Sequence, residues 1–156
     1  VGVDVSWLMR VPFLARKHKY SDHLDTLVAL ITHLAYSQYV VRSSPALAKV
    51  LSIEESEIIY TLENFKSLFA RTSKLSAHTG APLYGLHVRR AIAWAAGVEE
   101  DETTERPKLE TPFVNGLIDF VVKKADQETR HSLAYGTALA AIIGSVLVAV
   151  LTITSK

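Results

Sequence analysis

Residues 44–74 read SPALAKVLSIEESEIIYTLENFKSLFARTSK, and the architecture of the first two-thirds of the chain turns on them. Ser44-Pro45 is a helix start. Pro loses nothing there because its missing N–H would have no partner anyway. Ala46, Leu47 and Val50 carry this short helix to a turn at Leu51-Ser52-Ile53. Ile58, Ile59, Leu62, Phe65 and Phe69 then recur at helical spacing and predict a further helix. Phe69–Lys74 and Leu83–Val88 favour strands, and the loop Ser76–Pro82 between them holds Gly80 and Pro82, so a hairpin is expected.

Working outward toward the N-terminus, residues 21–38 (SDHLDTLVALITHLAYSQ) predict a strong amphipathic helix. Leu24, Leu27, Val28, Ile31, Leu34 and Ala35 form its apolar stripe, with Ser21 or Asp22 as cap. Tyr39-Val40-Val41 is short and β-favouring. Residues 1–20 form a basic and apolar arm. Trp7, Leu8, Met9, Phe13 and Leu14 interleave there with Arg10, Arg16, Lys17 and Lys19, a pattern suited to packing on the domain, to a partner groove or to a membrane interface.

Three helices followed by a hairpin resemble the winged helix-turn-helix superfamily. The resemblance is carried by residues 44–74 together with APLYGLHV at 81–88, and it covers about residues 21–90 within a domain bounded at 21–95. It implies that the third helix enters a DNA major groove while the hairpin touches the backbone, with Ser56, Glu57, Tyr60, Thr61, Asn64 and Lys66 facing outward. Charge opposes that role. Residues 54–68 hold Glu54, Glu55, Glu57 and Glu63 against Lys66 alone, and phosphate neutralisation supplies most non-specific affinity for nucleic acid. The hairpin side is opposite in sign: no acid occurs from Asn64 to Val98. Arg71, Lys74, Arg89 and Arg90 are therefore expected to form a basic surface for a partner, lipid or nucleic acid.

The 156 residues are 49% hydrophobic yet carry a net charge of only +1, and both totals conceal an uneven distribution. From Ser132 to Ser155 there is no charged residue. Leu133–Ile153 (LAYGTALAAIIGSVLVAVLTI) would span about 30 Å as a helix, the thickness of a hydrocarbon core, so residues 132–154 predict a transmembrane helix. Three residues follow Ile153, which suggests a tail anchor. Lys123, Lys124 and Arg130 precede the run and Tyr135 sits near its start, placing these four at the interface. The positive-inside rule then puts the N-terminal bulk on the cytoplasmic, matrix or stromal side of an organellar or bacterial inner membrane. Gly136, Ala140 and Gly144 share one face with Ala141, Ser145 and Ala149 beside it. Small residues so spaced let a second helix, from another subunit or a second copy, approach closely.

Between domain and span, residues 96–111 are an acidic linker, with six acids against Arg106 and Lys108 from Val98 to Thr111. Residues 112–131 predict a juxtamembrane helix starting at Thr111-Pro112, with Val114, Leu117, Ile118 and Val121 as its stripe. The fold class expected is mainly α: a small winged-helix-like domain of three helices and a hairpin, then one long juxtamembrane and transmembrane helix.

Chemistry is harder to find. With no cysteine, disulfides, thiolate metal sites and a cysteine nucleophile are excluded. The six histidines lack metal-binding spacing, and no phosphate-cradling glycine loop or nucleophile elbow occurs. No catalytic residue, metal or cofactor is expected. The sequence points to a non-catalytic accessory or adaptor subunit of a membrane complex, the alternative being a membrane-tethered nucleic-acid-binding regulator that uses the basic hairpin.

Overall fold

The computed structural model describes residues 18–95, 97 and 107–154, with residues 132 and 135–154 described as backbone only. The structure is mainly helical with a small three-stranded sheet. A 3-10 turn at Ser21–His23 leads into α1 (Leu24–Tyr36), whose Leu27, Leu30, Ile31, Leu34 and Ala35 are completely buried. Leu27, Ile31, Leu34 and Ala35 of the stripe read from the sequence thus lie in the core, joined by Leu30, while Leu24 and Val28 are only partly buried. After Val40 and Val41, also buried, come β1 (Arg42–Ser43), α2 (Ser44–Leu51) and α3 (Glu55–Asn64). Pro45 lies in the first turn of α2, and Ser52 closes that helix in the left-handed region at φ 55°.

The hairpin consists of β2 (Phe69–Leu75) and β3 (Pro82–Leu86). Strand order in the sheet is β1-β3-β2, antiparallel throughout, with Arg42 opposite Tyr84 on one side of β3 and Phe69 opposite Leu86 on the other. Leu47, Ile58, Leu62, Phe65, Phe69 and Leu86 close the core over α1. The expected third helix is shorter than its apolar period. Phe65 N–H still bonds the Thr61 carbonyl, but Leu68 and Phe69 turn back to Phe65, and Phe69 pairs across the hairpin. Strand pairing at Phe69 outcompetes another helical turn.

A second difference lies at the end of the hairpin. Leu83–Val88 is strand only to Leu86; His87–Ala95 is helix α4. The close approach of chain at β3 depends on Gly85, since a Cβ there would meet the Val40 carbonyl oxygen at 2.7 Å and Val41 Cγ1 at 3.1 Å. Backbone cannot give way as a flexible side chain does. Gly85→Ala is therefore expected to destabilise the domain by about 1–3 kcal/mol, read from the denaturant midpoint.

The last helix, α5, runs from Thr111 to Thr154, 44 residues and about 66 Å. It lies antiparallel to α1. At one end Leu109 N–H donates to the Ala35 carbonyl and Tyr36 Oη donates to Thr111 Oγ1; at the other, Ser21 N–H donates to Glu128 Oε2 at 3.1 Å. Between these ends Val114, Val121 and Ala125 are buried, with Leu117 and Ile118 packed beside them. The apolar stripe of Val114, Leu117, Ile118 and Val121 thus rests on the chain's own domain. Residues 96 and 98–106 of the acidic linker, and 1–17 of the arm, lie outside the described residues. Among the described residues no helix is long and apolar enough to cross a membrane. The run expected to do so, 133–153, falls outside them from Tyr135 onward in its side chains, as do all six small packing residues from Gly136 to Ala149.

Candidate functional site

The four arginines and lysines expected to form one basic surface are not equivalent. Arg89, on the first turn of α4, is buried at 2% exposure. Its Nη1 donates to the carbonyls of Leu34 (2.7 Å) and Tyr39 (3.0 Å), and Nη2 donates to that of Pro107 (3.4 Å). Those carbonyls belong to the end of α1, the loop after it and the strand of chain leading into α5. Desolvation lowers the guanidinium pKa from its ordinary value. Arg89 is therefore a correction to the sequence expectation: it is a structural cross-link, not a surface cation.

Of the other three, one lies beside a carboxylate. Arg71 Nη1 lies 3.8 Å from Glu63 Oε1, and Arg90 Nη1 donates to the Arg71 carbonyl at 3.2 Å. Lys74 is half-buried further along β2. A cleft of about 420 Å³ opens between the end of α3 and the sheet, lined by Glu63, Lys66, Arg71, Tyr84 and His87 among others. At its base Tyr84 Oη donates to Glu63 Oε1 at 2.6 Å. Burial, followed by that hydrogen bond and the charge of Glu63, pushes the Tyr84 phenol up to about 12, with Arg71 opposing. The cationic side of the hairpin thus carries its own counter-ion. For an anion this is a weaker seat than the sequence suggests.

The sign of the pH effect follows. Tyr84 binds its proton more tightly folded than unfolded, so its contribution is complete below pH 10 and is lost as pH rises through about 12. In a phenolate absorbance titration, one of the six tyrosines should ionise late. Tyr84→Phe should abolish that late step and the part of the alkaline stability loss that accompanies it; a wild-type titration with all six together would contradict the Tyr84–Glu63 bond.

On α3, the residues that the winged-helix resemblance turns outward are partly occupied. Thr61 is fully buried, a second correction, and donates to Glu57 Oε1. Its position falls one turn after Glu57 on the face packed toward α1, where His23 Nδ1 meets the same Glu57 oxygen at 2.7 Å. Asn64 donates to the Tyr60 carbonyl within its own helix. Ser56, Tyr60 and Lys66 are exposed. Tyr60 is flanked by rings, with His23 at 4.8 Å and His18 at 5.2 Å between centroids. This aromatic and histidine cluster joins the 3-10 turn to α3. Among the described residues no group of three or more His, Cys, Asp or Glu is placed to hold a metal ion. His33, on α1, is pushed below its ordinary pKa by burial and then by Arg42.

Of the interfacial set, Lys123, Lys124 and Arg130 are exposed on α5, and Tyr135 lies outside the described side chains. Lys123 pairs with Asp119 and Arg130 with Asp126, both one helical turn back, while Lys124 lies over the Phe120 ring. One surface escaped the sequence reading. Ile92 and Trp94 on α4 are solvent-exposed, Trp94 at 83%, and Ile92 borders a groove of about 350 Å³ that Leu109 and Phe113 also line. The signal was the alternation of Arg89 and Ala93 inward with Ile92 and Trp94 outward, visible only once residues 87–95 are known to be helical.

No protein-family model, curated protein or solved structure matches the chain.

Proposed function

We propose that this chain is a non-catalytic, single-pass membrane-anchored assembly subunit whose small domain resembles a winged helix. The observation that carries this reading is α5: its first turns are buried against α1, and one uninterrupted helix then continues past the domain to Thr154 through the uncharged run 133–153. A helix so placed transmits the position of the domain directly to whatever holds its far end. The order of helices and strands, with β3 between β1 and β2, supports the winged-helix part. Binding is the whole of its action. The run 132–154 crosses the bilayer, the domain lies on the side favoured by Lys123, Lys124 and Arg130, and Gly136, Ala140 and Gly144 pack against a second helix.

A membrane-tethered nucleic-acid regulator is the second reading, favoured by the exposed Lys66 and Arg71 beside α3. It is the weaker one, because Glu63 sits among those cations and Arg89 is not available to phosphate. Purification of the full chain in detergent, with Gly136→Ile and Gly144→Ile compared with the wild type, tests the first reading. Loss of co-eluting subunits or of self-association on substitution is expected; unchanged association would exclude packing through that face. Salt-dependent binding of duplex DNA or RNA by the same material would favour the second.

A further inference from the structure

One face of α5 is left over once the helix has docked on its own domain. Val114, Val121 and Ala125 are buried on the α1 side, whereas Phe113 and Phe120 remain 46% and 44% exposed. Seven residues return a helix to nearly the same face, so Phe113, Phe120 and Gln127 form one exposed row. Gly116, Lys123 and Arg130, each three residues further on, form the exposed row beside it. A Cβ at Gly116 would meet nothing within 4 Å, so backbone lies open between the two rings. Phe120 touches Tyr20 along one edge and carries Lys124 over its ring, yet neither closes the face. These rows are the a and d positions of a heptad. Counted on by sevens, Ala134, Ala141 and Val148 fall at a and Gly144 at d, with Ala140 and Ser145 flanking them. The register of the exposed face therefore continues into residues proposed above to pack in the bilayer, over about 53 Å from Phe113 to Val148.

The charges beside these rows select the occupant. Asp119 and Asp126 hold the g positions, and Lys124 and His131, each five residues after one of them, hold e. In a parallel pair of helices, g of one chain meets the e that lies five residues on in the other. A second copy of this chain thus sets Asp119 beside Lys124 and Asp126 beside His131, twice over by symmetry. An antiparallel copy would set acid against acid and base against base along the same flanks. Lys123 and Arg130 at d would each oppose themselves. Their heads, however, are drawn aside to Asp119 at 2.6 Å and Asp126 at 2.8 Å, which leaves their apolar stems along the seam.

We propose that α5 pairs in parallel with α5 of a second copy along Phe113, Phe120 and Gln127, so that the segment docked on the domain, and not the span alone, holds a dimer together. This rests on the anchored reading above. The chain has no cysteine, so a single introduced one reports only contacts between copies. Gln127→Cys lies in the seam, and Val122→Cys, at a position 42% exposed, lies on another face. Each full-length variant is reconstituted in phosphatidylcholine vesicles and mildly oxidised. Gln127→Cys should form the disulfide dimer about fivefold faster than Val122→Cys or more, because only facing positions bring Cα atoms within the roughly 4–7 Å that a disulfide spans. Adding Asp119→Lys or Lys124→Asp should slow it about threefold or more, and mixing the two charge variants should restore it, since each then meets its complement. Equal rates at 127 and 122, or indifference to the charge exchanges, would overturn the proposal. An alkaline wash of the same vesicles reports the anchor separately. Protein that resists the wash without preferential cross-linking at 127 defeats this inference alone, whereas protein released by it defeats the anchored reading and this inference with it.

Discussion

Replacing Arg89 with alanine should lower the free energy of unfolding by about 3–5 kcal/mol. The side chain is buried and donates to three main-chain carbonyls from two distant stretches of chain, residues 34–39 and residue 107, two of them at 3.0 Å or less. Hydrogen bonds from a charged donor are worth more than neutral ones, and truncation leaves the buried Leu34 carbonyl without that partner in a place water reaches poorly. It also removes the volume of a long side chain from beneath α4. Arg89→Lys should recover only part of the loss, because one ammonium cannot reproduce the planar fork that reaches carbonyls in two directions. Denaturant unfolding of the three proteins checks this, with the midpoint shifting at constant slope. A loss below about 1 kcal/mol for Arg89→Ala would mean that the arginine is not the cross-link its contacts describe.

Val121→Asp should separate α5 from α1. Val121 is fully buried between the two helices, and a carboxylate there would be unpaired in an apolar seam with Val114 and Ala125. The cost of holding it, several kcal/mol, exceeds what the remaining contacts of the seam supply. Undocking, rather than global unfolding, is the cheaper response, since Leu27, Leu30, Ile58, Leu62 and Phe69 keep the rest of the core together. The Leu109 amide reports it directly through its bond to the Ala35 carbonyl. Its hydrogen exchange should accelerate by about 100-fold or more. Val122→Asp, one residue on and solvent-exposed, should leave that amide within a few-fold of wild type. Equal effects from the two substitutions would show that α5 is not docked by this face.

Much of this architecture is written in short-range pattern. The α1 stripe names the core because each residue every third or fourth position must face the same way, whatever it packs against. The same holds for Val114, Leu117, Ile118 and Val121 at the start of α5, and Ser44-Pro45 marks α2 through backbone hydrogen-bonding needs that are entirely local. Where the reading stopped too late, at Phe65–Phe69, or continued as strand too far, at His87–Val88, the deciding partner was distant. Phe69 is taken by Leu86, and helix begins at His87, whose amide bonds the Leu68 carbonyl.

The candidate surface was less legible than the fold, and Arg89 shows why. From sequence it is one of a run of cations beside Arg90, indistinguishable by composition or spacing. Its burial depends on carbonyls contributed by residues 34, 39 and 107, which come together only in the folded chain. Glu63 likewise belongs to an acidic helix in one dimension and to a cationic cleft in three. The sequence by itself determined the helical stripes, the hairpin, the uneven distribution of charge and the uncharged run at 133–153, because each rests on local periodicity or composition. Only the tertiary structure decided which cations reach solvent and that α5 rests on α1. Those are statements about distant pairs, and a side chain's surroundings are set by whatever chain arrives beside it.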